Sequence, residues 1–505
     1  MIRRARALLL PLALLAPLAA ASPAGAQDVG REAAERLDYP DIRFEAPRAR
    51  THEVEGVRVL HLEDPTLPLV NVFARFDGGF SNFSREHYAA ATALPGLLRS
   101  GGTLTLPPDS VDELSEFYAL SMAFGSGGET SFSSLNLLVE HLDVGVELWA
   151  DMLRHPRFDP RQVEVWRGQE LEAVLRRKDD PGRLAFSEFN RLMFGDHPIG
   201  WEMDAADLEP EDLSEAHLRW LHARIFCPEN LVLGVTGDVS WDEVRPLLQR
   251  VLEGWPSCPE PLAESPDPEM RREPGVFLIP RDLDQVTVVM AHPGGIRQSD
   301  DRDFYASRIG NSILGASGFG SRLMDRVRTE TGYAYSASSL WTAPSGYEGI
   351  VGALTRTKSE STIAAVQLIL STIEEMTREA PSREEVSLAV EEIVNGFVFN
   401  FEAPSQVVSR QMFYAAEGLP EDWLERYIEG IQEVEPADVL RVFRRHVDPA
   451  RMTILILGDP ARFDLPPETL GPVRILDVEG VTDVPGAGPP AGVSEPPRGG
   501  PRSHR

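Results

Sequence analysis

Leu231-Val232-Leu233-Gly234-Val235-Thr236-Gly237-Asp238 returns 221 residues later as Met452-Thr453-Ile454-Leu455-Ile456-Leu457-Gly458-Asp459. Both runs are apolar almost throughout, the pattern of a strand covered on both faces, and both close on Gly-Asp. Their lead-ins match as well. His217-Leu218-Arg219-Trp220-Leu221 reaches the first strand through Pro228, and Val439-Leu440-Arg441-Val442-Phe443 reaches the second through Pro449. A helix, a proline-marked turn and a buried strand, recurring at one spacing, predict two similar domains.

Other elements repeat in the same order. Residues 57 to 62 and 69 to 76 read as strands about the turn Asp64-Pro65-Thr66, and 275 to 279 with 286 to 291 do so about Arg281-Asp282. Amphipathic helices are predicted at 110–124, 137–153, 160–177, 360–376 and 382–395, punctuated by Pro156, Pro181 and Pro381. Strand pairs joined by blocks of helix describe an α+β layer architecture. The Pro- and Glu-rich stretch 256–274 reads as a linker between domains at 27–255 and 275–465. Residues 466–505 read as a tail, disordered from about 484. A chain of 505 residues, 42% hydrophobic and 25% charged, can fill two such domains.

The amino terminus sets the compartment. Arg3, Arg4 and Arg6 precede an apolar run from Ala7 to Ala21, and Ala24-Gly25-Ala26 offers a small-residue cleavage site. Residues 1–26 therefore read as a secretory signal peptide, with Arg3-Arg4 leaving a twin-arginine route open. The protein is expected to be exported, periplasmic or extracellular, and no other apolar run reaches the roughly 18 residues of a membrane span. Formal net charge is −30, and loss of the leader's three arginines takes it to −33. That balance repels nucleic acid and anionic lipid. It favours basic ligands or simply keeps the protein soluble.

A catalytic zinc needs about three protein ligands, and a carboxylate to take a proton from its bound water. None of the eleven histidines offers that spacing. His52-Glu53-Val54-Glu55-Gly56 begins like H-E-x-x-H but ends in glycine, and Glu140-His141 would need a histidine where Leu137 stands. His217 and His222 are five apart and face different sides of a helix.

The ordered landmarks of the first half are Asp151-Met152-Leu153-Arg154-His155-Pro156-Arg157-Phe158, Lys178-Asp179-Asp180-Pro181, Phe194-Gly195-Asp196-His197-Pro198, and Pro228 through Gly237-Asp238. Those of the second are Ser321-Arg322-Leu323-Met324-Asp325-Arg326-Val327-Arg328, Gly332-Tyr333-Ala334-Tyr335 and Gly458-Asp459. Together they resemble the insulinase/pitrilysin-type metallopeptidases across most of the mature chain. The resemblance implies two homologous domains, each a mainly antiparallel sheet packed with helices, forming a clamshell. Counting back from Gly102-Thr103, the family's zinc histidines fall at Ala93 and Leu97 and its glutamate base at Gly96. The third ligand falls at Ala173, with Glu170 and Glu172 close by. Pro95 lies inside the expected metal helix, which reads as rebuilt.

The second half keeps what the first has lost. Arg328 and Tyr335 match an Arg/Tyr pair that in this family reaches bound peptide near the metal; read locally, they are also an arginine paired with Glu330 or Asp325 and a tyrosine in a strand core. Gly315-Ala316-Ser317-Gly318-Phe319-Gly320 resembles the glycine-rich loop of zinc-less subunits, or is ordinary loop chemistry. The resemblance thus implies a subunit like the non-catalytic partner in mitochondrial processing peptidase and bacterial heterodimeric peptidases. Such a chain binds no metal, binds peptide substrate, and lends Arg328 and Tyr335 to a partner that carries H-x-x-E-H and the zinc. The alternative is a stand-alone peptide-binding or scaffold protein. The two cysteines, Cys227 before strand 231–235 and Cys258 after the helix that follows it, are placed to form a disulfide or to remain buried thiols.

Overall fold

The computed structural model describes residues 47–478; the expected signal peptide and the tail from about 484 lie outside them. The first half builds a sheet from β1 (Arg50–Val54), β2 (Val57–Glu63), β3 (Leu69–Asp77), β4 (Ser121–Ser126), β5 (Thr130–Leu138) and β6 (Leu231–Gly237), in the order β1-β2-β6-β3-β5-β4. The second repeats it with β7 (Gly275–Pro280), β8 (Gln285–Pro293), β9 (Ala334–Trp341), β10 (Ile350–Lys358), β11 (Thr453–Gly458) and β12 (Val473–Ile475), in the order β12-β7-β11-β8-β10-β9. The duplicated Gly-Asp strand is the key to both. β6 inserts between β2 and β3, parallel to the first and antiparallel to the second, and β11 does the same between β7 and β8. The strand pairs expected about 64–66 and 281–282 are therefore present but are not neighbours.

Between the strands run α1 (Tyr88–Ser100), α2 (Pro108–Phe117), α3 (Leu142–Arg154), α4 (Pro160–Arg176), α5 (Pro181–Phe194), α6 (Glu215–Ile225) and α7 (Trp241–Leu252). The second half adds α8 (Arg302–Asn311), α9 (Thr362–Arg378), α10 (Arg383–Val398), α11 (Pro404–Ala416), α12 (Trp423–Gln432) and α13 (Pro436–His446). Two expected helices are corrected. The one read at 110–124 stops at Phe117, Ala119 adopts φ 52°, and the chain continues as β4. The one read at 137–153 begins only at Leu142, because β5 runs to Leu138.

Each half covers the other's sheet. Leu184, Ala185, Phe189 and Met193 of α5 pack with Phe277, Ile279, Val289, Leu455 and Leu457 of the second sheet. Val408 and Met412 of α11 cluster with Leu60, Phe73 and Val232 of the first. Gly234 makes room for that crossing: a Cβ there would stand 2.3 Å from Met412 Sδ and 2.5 Å from Val408 Cγ1. Apolar helix faces thus close the sheets in part by exchange between the halves, while the first sheet also packs on helices of its own half. The linker is held by both halves too, since Ala263 accepts from the Asn82 amide of the first and Arg271 lies over the Phe277 ring of the second. Past residue 465 the chain still belongs to the fold, because β12 pairs in parallel with β7.

Candidate functional site

α1 runs unbroken through Pro95. Proline removes the bond its N–H would give to the preceding turn, a local loss of about 3 kcal/mol in a helix interior, and the burial of Leu94, Leu97 and Leu98 offsets it. The metal helix is therefore kept in place, not rebuilt. Ala93 and Leu97 are fully buried in the first core. Gly96 faces α4, where a Cβ would lie 3.6 Å from Trp166 Cδ1. Ala173 stands on α4 as well, so the four positions read as the zinc site lie on two helices that pack together.

Their chemistry excludes the metal. Two methyls, a hydrogen and an isobutyl group present no lone pair, and Glu172 is spent on a surface pair with Arg176 at 2.6 Å. Among the described residues, Cys227, Glu229 and Cys258 are a Cys/His/Asp/Glu trio close enough to share an ion. There the two sulfurs are bonded to each other, with Cα atoms 5.2 Å apart. The residues at these described positions do not fit a resident zinc.

Arg328 and Tyr335 belong to one turn-and-strand unit. A π-helical stretch, Met324–Glu330, carries Arg328 and is clamped from behind. Arg322 grips Glu385 with two donors at 2.7 and 3.1 Å, and Arg326 grips Glu375 at 2.6 and 2.9 Å. Burial alone would raise the Glu385 carboxyl, but Arg322 and the Ser382 donors outweigh it and pull it to about 2. Gly332, at φ 65°, ends the helical stretch: its N–H donates to the Arg328 carbonyl and the Tyr333 N–H to Val327. Only glycine takes that left-handed cap without strain, which is why the motif reads Thr-Gly-Tyr.

The chain then enters β9, the outermost strand of its sheet. Ser336 pairs with Arg356 and Ala334 with Thr357, so Tyr335 is the extra residue of a β-bulge. Bulges re-aim a side chain at the expense of ladder bonds. Tyr335 is 53% exposed while Ala334 and Ala337 are buried, which removes the strand-core reading. Arg328 is exposed too. In the loop at 315–320 a Cβ on Gly315 would strike the Ser339 backbone at 2.3 Å, whereas Gly318 and Gly320 have open space beside them. Sequence reasoning missed the Arg322/Arg326 clamp and the bulge. The paired spacing of Arg322 and Arg326, four apart on one helical face, was the available signal for the clamp.

A doubled sheet with exchanged helices is the fold expected from the resemblance to insulinase/pitrilysin-type proteins, and the positions expected to hold the metal carry no donor. Residues 212–393 match the family model described as the Peptidase M16 inactive domain. It is 23% identical over 412 residues to the "Non-peptidase homolog YmxG" of Helicobacter pylori, covering 80% of this chain and 92% of that one. The crystal structure of a peptidase M16 inactive domain from Pseudomonas fluorescens superposes with a TM-score of 0.74 at 23% identity, over 82% of this chain and 98% of that one. The periplasmic protease PqqL from Escherichia coli gives 0.69 at 13% identity, over 87% of this chain and 51% of the other.

Proposed function

We propose that this protein is exported and serves as the non-catalytic subunit of a heteromeric M16-type peptidase, holding peptide for a partner chain that carries H-x-x-E-H and its zinc. The observation that carries the reading is the contrast within one molecule. The metal positions are donor-free, yet Tyr335 is lifted out of its strand by a bulge, and Arg328 stands on the preceding helical stretch, anchored by two arginine–carboxylate clamps. A structural tyrosine needs no bulge, and a structural arginine needs no rigid mount.

The chemistry of each group follows from its donors. A guanidinium can bind a peptide carbonyl through more than one N–H, fixing the backbone of the substrate. A phenol can donate to the oxygen on which negative charge grows when a peptide carbonyl is attacked. Arg328 then acts on bound substrate and on the transition state alike, while Tyr335 acts mainly on the transition state.

The test reconstitutes this chain with an H-x-x-E-H chain of the same source. Tyr335→Phe should lower kcat by on the order of 10²-fold with little change in KM, as loss of an oxyanion donor does. Arg328→Ala should lower kcat/KM with a share of the loss in KM. Both variants should still co-elute with the partner. Full activity in both, with assembly verified, would leave the stand-alone scaffold reading in its place.

A further inference from the structure

The second half holds a cavity of about 630 Å³ with an uncommon charge pattern. Its walls come from α8, α10, α11 and α12, so it is built from second-half elements alone. Arg308 and Arg410 both line it. Among the described residues neither of these has a carboxylate within salt-bridge distance, although the chain carries 79 acidic residues against 49 basic ones. Arg308 gives one donor to the Trp341 carbonyl and lies over the Phe304 ring, and its buried Nε has no hydrogen-bond partner. Arg410 donates to Asn400 Oδ1 at 2.7 Å and lies over Phe397 and Phe401. The cavity's one carboxylate, Glu392, accepts from the Ser312 hydroxyl at 3.1 Å.

Both guanidiniums act on one phenol. Burial raises the Tyr427 hydroxyl, and Arg308 and Arg410 each oppose that rise; all three residues line the cavity. The rest of the wall is aromatic: Phe304, Phe397, Phe413, Tyr414, Trp423 and Tyr427. A buried guanidinium without a counter-ion loses solvation that only an anion restores. A wall of aromatic rings around a few placed charges is how small-ligand sites are made, at volumes of roughly 300–1,000 Å³.

We propose that this cavity binds a carboxylate borne on an apolar or aromatic body, as at the C-terminal residue of a peptide. The carboxylate sits between the Arg308 and Arg410 guanidiniums, and the side chain packs among Phe397, Phe413 and Trp423. The helices that form the cavity, α8 and α10, occupy the places in the second repeat that α1 and α4 hold in the first. The position that carries chemistry in one repeat is thus a pocket in the other. The inference stands apart from the partner reading, because the ligand binds the chain alone and uses neither Arg328 nor Tyr335.

Calorimetric titration of the full chain with N-acetyl-Leu-Phe as the free acid and as the C-terminal amide tests it. The acid should bind at least 10-fold more tightly than the amide. Arg410→Gln should weaken the acid at least 10-fold while leaving the amide unchanged, and Glu392→Gln should not weaken it. Equal affinity for acid and amide, no binding of either, or an unaltered affinity in a folded Arg410→Gln variant would overturn the proposal. Should that variant fail to fold, the acid-to-amide ratio of the unaltered chain decides. 3-Phenylpropionate names the source: matching the peptide's affinity points to small aromatic carboxylates, and falling well below it points to peptide termini.

Discussion

In the first half, the helix after β3 turns Ala93 and Leu97 into a closed core. In the second, the helix after β8 turns Arg308 towards a cavity, and the strand beyond it lifts Tyr335 into solvent. The two halves share strand order, the inserted central strand and the exchanged helix, so these differences fall on the same framework. The sheet order is set by β6 and β11, and none of the four positions read as the zinc site lies on either strand. A metal set can therefore be lost from α1 without disturbing the fold, while the other half keeps or acquires polar surface. Architecture fixes where chemistry could be, and side chains decide whether it is there.

The largest effect should come from cutting the link between the halves. Phe189 is buried on α5 but packs on the second sheet, so Phe189→Ala should lower stability by about 3–5 kcal/mol. The damage should appear in the second half: hydrogen exchange should speed up in β11, in the sheet on which this first-half helix packs. A loss of less than about 1 kcal/mol, or exchange that changes only in the first half, would break the claim that the halves stabilise each other across the exchange.

How much of this was legible beforehand divides along physical lines. The apolar central strands and their Gly-Asp ends were readable because strands buried on both faces are nearly continuous in hydrophobicity. β5 was not, because Ser131 and Ser133 face inward, satisfied by the Gly78 carbonyl and the Trp149 indole. Serines at inward positions erase the alternation that marks a strand. The stop after Phe117 was hidden since Ala119 at positive φ carries no residue signal. Helix exchange was unreadable for a different reason: an amphipathic pattern says which face is apolar, not which sheet will cover it. At the site, the loss of donors at Ala93, Gly96, Leu97 and Ala173 could be read directly. The bulge that exposes Tyr335 could not, because a bulge depends on the register against Arg356 and Thr357.

A second asymmetry lies in the covalent staple. Cys227 and Cys258 tie the end of the first repeat to the linker, closing a separation of 31 residues, and the second repeat has no cysteine. The double variant Cys227→Ser/Cys258→Ser should lose about 3.5 kcal/mol in the loop-entropy description. Thiol titration of the denatured, unreduced protein should find no reactive group. Two titratable thiols would remove the staple from the comparison and leave the halves alike in this respect.

The smallest effect sharpens the comparison at a single repeat position. His222 on α6 and Phe443 on α13 are 221 residues apart and occupy the same place in the two lead-in helices. Phe443 is fully buried and has nothing to titrate. His222 donates from Nε2 to the Leu153 carbonyl at 2.7 Å and stacks on Phe226. Burial pushes its imidazole down to about 4, with the Leu153 bond opposing the shift. The unfolded chain, with a histidine pKa of about 6.5, takes up the proton first, so the first half is at full stability above that value. As pH falls from about 6.5 towards 4, stability should drop by up to about 1.4 kcal/mol per unit and then level off. His222→Phe, which copies the second repeat, should cost about 1 kcal/mol at pH 7.5 through the lost hydrogen bond and should flatten that slope. Denaturant melts of both proteins at pH 7.5, 5.5 and 4.5 provide the measurement. Equal slopes in the two proteins would mean that the acid sensitivity of the first half lies elsewhere than in this exchange of imidazole for phenyl.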